Sequence, residues 1–497
     1  MKYQKTLIFI CLIICTFCIA GAYAGDVNES AVANENPELI SIDNQIVDDS
    51  LKEEPAGTFT DLAGEISNAG NELNLTRNYT YSAEDSDLKN GIRINKEIII
   101  NGNGFTINGN NEAEAFYINL DNVILKNITF INCKSSLYSG AVHCNYVSNI
   151  TISNCRFINN TAPYSGGAIY FQGGSNGIIS DCTFIDNHAE SGGAIAVSGT
   201  YVTISNCNFT NNSGRDGGAV VLYYNDHNIV NCYFTNNIAS RQGGAIFDYS
   251  NNSAISKSVF VNNSATNYGG AINIELNGST VSNCSFNNNN AEFGGAIYLN
   301  RATNSVVSNS SFKNNDAEGG SAIYCYGTDN ILSNCNIINN IANSGSIAVY
   351  GDANTVYNCN LINNTARSQG GGIFVFGYNT NITRCSFKNN TARYSGGCIY
   401  NDNENILVLN YNAFFGPISR GTNDFYKCEC DYNWWGENNP DLSGIQSYSS
   451  YTNWVLANLI SDALFPPHIC WADVAYGPLA QSYNKQRANR SPLCVHS

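Results

Sequence analysis

Charge is scarce in this chain. Only 13% of its 497 residues are charged, and the formal net charge is −16. That balance argues against nucleic acid and anionic membranes as partners, since both are polyanions. Methionine occurs once, and stretches rich in Ala, Leu, Glu and Lys are almost absent, so few helices are expected. Beyond Ala24 no segment approaches the ~20 continuous apolar residues needed to cross a bilayer. Asn, Gly, Ser, Ile and Tyr dominate instead, the composition of strand and turn. A chain of 497 residues is long for one compact core, which leaves several domains or one repeat array.

The start reads as an export signal over 1–24. Lys2 and Lys5 precede an apolar run from Leu7 to Ala20, and Ala22-Tyr23-Ala24 is a small-x-small cleavage site. The run is short for a membrane anchor and has no basic stop-transfer flank. The mature chain is therefore expected outside the cytoplasm, without a transmembrane span. Residues 25–57 form an acidic stretch without periodicity, expected to be a flexible spacer. Thr58 then stands as a cap before Phe59-Thr60-Asp61-Leu62-Ala63-Gly64-Glu65-Ile66, whose apolar spacing predicts a short helix. Its expected task is to cover the open end of the region C-terminal to it.

That region is a repeat. Gly-Gly-Ala-Ile stands at 166–169, 192–195, 243–246, 269–272 and 294–297, with variants beginning at Ser139, Gly217, Gly320, Ser344, Gly370 and Gly396. Successive starts lie 24 to 27 residues apart. A second ladder runs through Phe157, Phe184, Phe209, Phe234, Phe260, Phe286, Phe312 and Phe387, with Ile337 and Leu361 in the gaps. Each member is followed three residues later by Asn, from Asn160 to Asn390, and preceded two residues earlier by Cys, with Ser258 and Ser310 replacing it.

The period selects the architecture. Repeats of this length mean solenoids, propellers or arrays, and a propeller blade needs roughly 40 residues. No repeat has helical apolar spacing, and the Leu pattern of leucine-rich repeats is missing. Short β-like runs broken by Asn, Ser and Gly fit one coil of a parallel β-helix. The fold expected over 58–415 is an all-β, right-handed, single-stranded parallel β-helix of the pectate-lyase-like kind, with a short N-terminal capping helix. A closing segment at 416–460 and an irregular tail at 461–497 complete the layout.

Stacking accounts for the ladders. Equivalent residues of adjacent coils lie about 4.8 Å apart, so like sits on like. Phe and Ile should fill the interior, Asn should pass amide hydrogen bonds between coils and tolerate left-handed turns, and glycine pairs should turn a corner. The Cys ladder is within disulfide reach, but parallel side chains and the Ser interruptions favour reduced, packed thiols. No metal or other cofactor is expected: no Cys-x-x-Cys pair stands near a matching His, and the five His are scattered. Sequons such as Asn127-Ile-Thr129, Asn262-Asn-Ser264 and Asn389-Asn-Thr391 are dense, so glycans are expected on some of the outer turns.

The paired Gly-Gly-Ala-Ile and Phe-x-x-Asn motifs resemble the polymorphic outer-membrane protein repeat of chlamydial surface adhesins. The wider layout is similar to adhesin-like surface proteins of methanogenic archaea. It shares a helical cap, an opening like Ile98-Ile-Ile-Asn-Gly-Asn-Gly-Phe-Thr-Ile-Asn-Gly, and a closing segment like Asn433-Trp434-Trp435-Gly436 followed by Tyr451-Thr452-Asn453-Trp454. The resemblance spans roughly 58 to 460. It implies a secreted, cell-surface, adhesin-like role with polysaccharide or protein ligands on other cells, and it carries no catalytic residues across. Larger members continue into further domains where this chain ends in a tail, so the mode of attachment stays open.

An enzyme on this fold, a polysaccharide lyase or glycoside hydrolase, needs carboxylates or a basic residue gathered on adjacent coils. Asp181, Asp186, Asp216, Asp226 and Asp248 fall at different registers, and Arg215, Arg241, Arg301 and Arg393 are isolated. No catalytic residue is therefore assigned, and a structural rod or envelope spacer remains the other non-catalytic reading. Any ligand must meet positions the ladders leave free. The residue after each Ile slot should face outward by strand alternation. Tyr170, Phe247, Tyr298, Tyr324, Phe374 and Tyr400 then form a candidate binding stripe, suited to stacking on sugars or peptides, with a stiffening β-surface ladder as the plainer account.

Overall fold

The computed structural model describes residues 56–402 and 407–415, with short strands at Cys428–Glu429, Val455–Ala457 and Val474–Tyr476. The expected signal peptide over 1–24, nearly all of the acidic spacer 25–57, and, short strands apart, the closing segment 416–460 and tail 461–497 lie outside the described residues.

The helix α1 spans Phe59–Asn68. Thr58 begins it with a reciprocal cap: its Oγ1 accepts from the Asp61 N–H at 3.1 Å, and Asp61 Oδ2 accepts from the Thr58 N–H at 2.9 Å. Phe59, Leu62 and Ile66 turn to the solenoid interior and are buried. Phe59 meets Tyr81 edge-to-face at 5.5 Å. An apolar helix face on the end of a β-helix shields core that a missing coil would leave wet.

From Glu72 the chain winds into a right-handed parallel β-solenoid of about 13 turns. Four parallel sheets form its walls. Sheet I has 15 strands beginning at Glu72–Asn74, sheet II has 14 beginning at Tyr79–Thr80, and sheet III has 13 beginning at Asn90–Ile94. Sheet IV has 8 strands, from Ser213–Asp216 to Thr391–Ala392. One coil shows the path: Thr203–Ser205 in sheet I, Asn208–Thr210 in sheet II, Ser213–Asp216 in sheet IV and Val220–Asn225 in sheet III. Every strand of these sheets pairs with its equivalents one coil away, so Phe157 lies beside Phe184 and Phe184 beside Phe209.

The phenylalanine rings stack face to face from Phe130 to Phe312, with neighbouring centroids 4.7 to 4.9 Å apart. That spacing is the strand spacing itself, so backbone pairing and ring contact enforce one register.

The corners refine the expectation for asparagine. Two adjacent residues divide the work. Asn211 takes the left-handed backbone (φ 56), while its neighbour Asn212 is fully buried. Asn212 Nδ2 donates to Asn237 Oδ1 at 3.0 Å and to the Phe184 carbonyl at 3.0 Å. Its Oδ1 accepts from the Asn187 backbone N–H at 3.0 Å and from Asn187 Nδ2 at 2.9 Å. The chain of amides continues from Asn160 to Asn390, leaving no ladder amide without a partner inside a dry wall. Glycine pairs divide their work too. Gly192 has φ +66, whereas a Cβ on Gly193 would stand 2.1 Å from the carbonyl oxygen of Gly218 in the next coil.

The twelve cysteines among the described residues are free, and all but Cys398 are buried. In the ladder each thiol hydrogen-bonds a backbone carbonyl two residues back, as Cys182 Sγ does with Ser180 at 3.1 Å. Ser258 Oγ makes the same bond to Ser256 at 2.8 Å, which explains why serine interrupts the ladder without disturbing it. Burial pushes the Cys133 and Cys325 thiols up to about 12 and raises Cys182 and Cys207 well above the usual thiol range. These groups behave as small apolar side chains.

Candidate functional site

Sheet III is the wall where the repeat loosens. Its Ile slot points inward and the next residue outward, as alternation requires. The pairing Ile297–Ile323–Ile347–Ile373–Ile399 sets the register, and Tyr298, Tyr324, Ala348, Phe374 and Tyr400 form one outward row beside it.

Outward does not mean open. Tyr298 and Tyr324 are each 7% exposed, Phe374 and Phe247 4%, and Tyr400 9%; Tyr170 is half-buried. Sheet IV adjoins sheet III in the coil, and the row lies in the crease between them, where Phe293 of sheet IV meets Tyr324 edge-to-face at 5.2 Å. Tyr298, Tyr324 and Ala348 form an apolar cluster of their own, backed by Tyr268, Phe293 and Tyr350 and separate from the solenoid core. The rings stack in series: Tyr268 on Tyr298 at 4.9 Å, Tyr298 on Tyr324 at 5.1 Å, Tyr324 on Tyr350 at 4.9 Å, Tyr350 on Phe374 at 5.6 Å and Phe374 on Tyr400 at 5.5 Å. Tyr350 belongs to a second outward row but leans into the gap that Ala348 leaves. The buried rings thus spend their faces on one another.

Of the six stripe residues, the structure brings four together: Tyr298, Tyr324, Phe374 and Tyr400. Phe247 stands apart with Tyr249 at 6.0 Å. Tyr170 joins an N-terminal group with Tyr138 at 5.3 Å and His143 at 5.4 Å.

The second outward row is more open. Tyr326 is 46% exposed and Phe376 44%, with Tyr350 half-buried between them in register and 5.4 Å from Phe376. Sequence reasoning missed this row, although the same alternation that selected Tyr324 also points to Tyr326, two residues on. On the other side of the crease, Glu292 and Glu318 of sheet IV stand one coil apart, both exposed. Between the two sides lies a shallow depression of about 430 Å³, lined by Glu292, Phe293, Glu318, Gly319, Asn343 and Tyr350. Gly319 makes its floor possible: a Cβ there would meet Tyr324 Cε2 at 2.9 Å and Phe293 Cδ1 at 3.2 Å.

Polar groups gather in two other places. Glu114 Oε1 lies 4.0 Å from His143 Nδ1, and both side chains are buried beside Tyr117 and Tyr138. Burial lifts the Glu114 carboxyl well above the usual carboxylate range and depresses the His143 imidazole, in each case favouring the uncharged form. His143 Nε2 shares a hydrogen bond with Gln172 Oε1 at 2.9 Å, while Glu114 Oε1 has no partner. The second place corrects the sequence reading of Arg241 as isolated. Its Nε and an Nη hold both oxygens of Asp216 from the neighbouring coil, at 2.6 and 2.7 Å. The remaining aspartates are scattered: Asp181, Asp186 and Asp226 occupy left-handed corners, and Asp248 is inside the core. Among the described residues no three His, Cys, Asp or Glu side chains come together as metal ligands would.

A family model described as the right-handed β-helix region matches residues 65–215, 140–312 and 192–361, which together span more than half of the chain. No curated protein matches the chain significantly. Among solved structures it is similar to PfbA, a surface adhesin of Streptococcus pneumoniae, at 12% identity and a TM-score of 0.38, covering 67% of this chain and 92% of that one. Alginate lyase AlyF-OU02 matches at 14% identity and a TM-score of 0.42, covering 85% and 90%. The tailspike protein of E. coli bacteriophage HK620 matches at 13% identity and a TM-score of 0.39, covering 75% and 70%. An adhesin, a lyase and a sugar-bound tailspike at such distances carry no inference about what this chain binds. The coil-by-coil pairing and the family match agree on one statement: the chain belongs to the right-handed β-helix family.

Proposed function

We propose that the protein is a secreted, cell-surface, adhesin-like β-helix that binds an extended ligand along the outer face of sheet III without acting on it chemically. The observation that carries this reading is the second aromatic row. Tyr326, Tyr350 and Phe376 repeat at one-coil spacing, and two of the three rings are open to solvent. Exposed aromatic rings in a line are costly for a soluble wall and useful for contact. The buried row beneath them supports the reading by stiffening the surface, so that little ordering entropy is lost on binding. Polysaccharide is the ligand class favoured, because the row advances coil by coil along one face of sheet III and suits a linear chain.

The test is binding of the full chain to a panel of cell-wall polysaccharides, scored for retention and for cleavage. Retention that falls in a Tyr326→Ser, Phe376→Ser variant with an unchanged melting temperature is the expected result. Retention unchanged by that variant overturns the site. Release of shortened chains overturns the non-catalytic reading and redirects attention to Glu114 and His143, where two titratable side chains face each other.

A further inference from the structure

From Ala196 to Tyr400 the first outward row of sheet III is built of Ala, Val, Phe and Tyr, with one interruption. Asn273 stands between Phe247 and Tyr298 in register. It is fully buried. Its Nδ2 donates across the crease to Gln242 Oε1 at 3.2 Å and lies 3.5 Å from Glu275 Oε1. Oxygens on two sides of Nδ2 fix which way the amide faces, and its Oδ1 is left without a hydrogen-bond partner. A buried oxygen without a donor costs stability, which a valine like Val221 of the same row would not. Folding alone gives no reason for an amide at this place.

Its surroundings share the same chemistry. In the second outward row Tyr249, Glu275, Asn300 and Tyr326 follow one another coil by coil. Asn300 Nδ2 donates to Glu275 Oε1 at 2.8 Å. Among the described residues nothing donates to Glu275 Oε2 or Asn300 Oδ1, and both side chains are half-buried. The two tyrosines at the ends are exposed. Tyr249 meets Tyr223 and Phe247 only at an angle, and Tyr326 stacks on no other ring among the described residues. Charge is close to balanced, since Asp216 holds Arg241 through two hydrogen bonds and the field of Arg241 reaches Glu275. All three unpaired atoms are acceptors, so a ligand must bring donors.

Resting on the glycan-binding reading, we infer that the crease from Tyr249 to Tyr326 is a hydroxyl-reading subsite for a neutral polysaccharide, whose hydroxyls donate to Asn273, Glu275 and Asn300 while its rings pack on the two tyrosines. Asn273 is reached when Glu275, held beside it by the amide of Asn300, swings onto a hydroxyl of its own. A sugar carboxylate would meet Glu275 and be repelled. Ammonium groups are donors too, but a single carboxylate in the field of Arg241 gives them little charge to gain.

Binding of the full chain is measured against soluble oligomers of a β-glucan and a mannan, fully O-methylated forms of both, alginate and chitosan. A neutral oligomer is expected to bind best, with little dependence on salt. O-methylation removes every hydroxyl donor and keeps the rings, and is expected to weaken binding about tenfold or more. Asn273→Val is expected to weaken it as much while the melting temperature holds or rises, and Asn300→Ala to weaken it severalfold. O-methylated oligomers bound as well as their parents overturn the hydroxyl reading and leave glycan binding standing. An Asn273→Val variant that binds like the wild type, or that melts below it, overturns the subsite and makes the amide part of the wall. Alginate or chitosan bound more tightly than both neutral oligomers overturns the neutral ligand. If none of the sugars is retained, the glycan-binding reading itself fails.

Discussion

The inside of the solenoid and the outer face of sheet III are made from the same coils, yet they obey opposite rules. Inside, each position repeats one residue type, and the contacts are those of like on like. Phe184 meets Phe209 at 4.8 Å with planes 5° apart, and the next pair, Phe209 and Phe234, repeats it at 4.7 Å and 2°. Outside, the row after the Ile slot changes from Tyr298 and Tyr324 to Ala348 and Phe374, and continuity is kept only because Tyr350 leans across. Fold constrains the inside closely, admitting only residues of similar shape such as Ile337 and Leu361 in the Phe ladder, because a misfit there disturbs the spacing of two neighbours. Fold leaves the outside free, so outer irregularity reports on something other than folding.

The largest expected effect comes from the inside. Phe234→Ala removes a ring stacked on both sides and opens a cavity that strand pairing on both flanks keeps from collapsing. The expected cost is about 3–5 kcal/mol, measured by urea unfolding. Phe234→Leu should cost much less, since Leu361 already fills the equivalent slot in another coil and is fully buried. A small loss for the alanine variant would mean that the ladder is not what sets the coil spacing.

Asp248 is a polar exception in the inward row of sheet III, between Leu222 and Ile274, and it tests the rule. Asp248 points into the core, where Ser250, Ser253 and Ser279 donate their hydroxyls to it. Burial outweighs those bonds and lifts its carboxyl from 3.8 to about 6. A folded-state pKa above the unfolded value means that the folded protein holds the proton more tightly. Stability from this group is therefore full below about 4 and is lost as pH rises through 6. The loss corresponds to on the order of 3 kcal/mol. Asp248→Asn should flatten the stability profile between pH 4 and 6 and raise the melting temperature at pH 7.5. Glu114, also lifted by burial, contributes with the same sign, so some slope remains in the variant.

Most of the inside was legible in the sequence. The Phe, Asn and Cys ladders each state a period, and period is what stacking needs. Even the division of labour between Asn211 and Asn212 lay in the doubled Asn, although only backbone angles show which member turns the corner. The outside was legible by direction and not by depth. Alternation placed Tyr298 and Tyr324 outward, but their cover comes from Phe293 and Tyr268, at a corner whose angle no repeat motif encodes. Glu114 and His143 meet across coils near the start, before Gly-Gly-Ala-Ile first appears in full. No ladder aligned them.

Gly319→Ala probes the boundary between the two regions. The residue sits in sheet IV, away from the core, but its missing side chain is where Tyr324 and Phe293 meet edge-to-face at 5.2 Å. A methyl group forces those rings apart, at about 1–3 kcal/mol. The crease is then expected to lose ligand binding while the coil pairing, read by circular dichroism, stays intact. Full stability with full binding would mean that the rings re-seat freely and the crease is not preorganised.

The smallest expected effect is the most telling for function. Tyr326→Ser removes a ring that is 46% exposed, and the change in stability should stay within about 0.5 kcal/mol. A wall selected for folding alone has no reason to keep such a ring. Its neighbours in register, Asn300 and Tyr350, show that the position accepts an amide as readily as an aromatic. If the melting temperature holds while retention on polysaccharide falls, Tyr326 is kept for contact. If stability instead falls by as much as for a buried ring, the second row is part of the wall's packing, and the difference between inside and outside is one of degree.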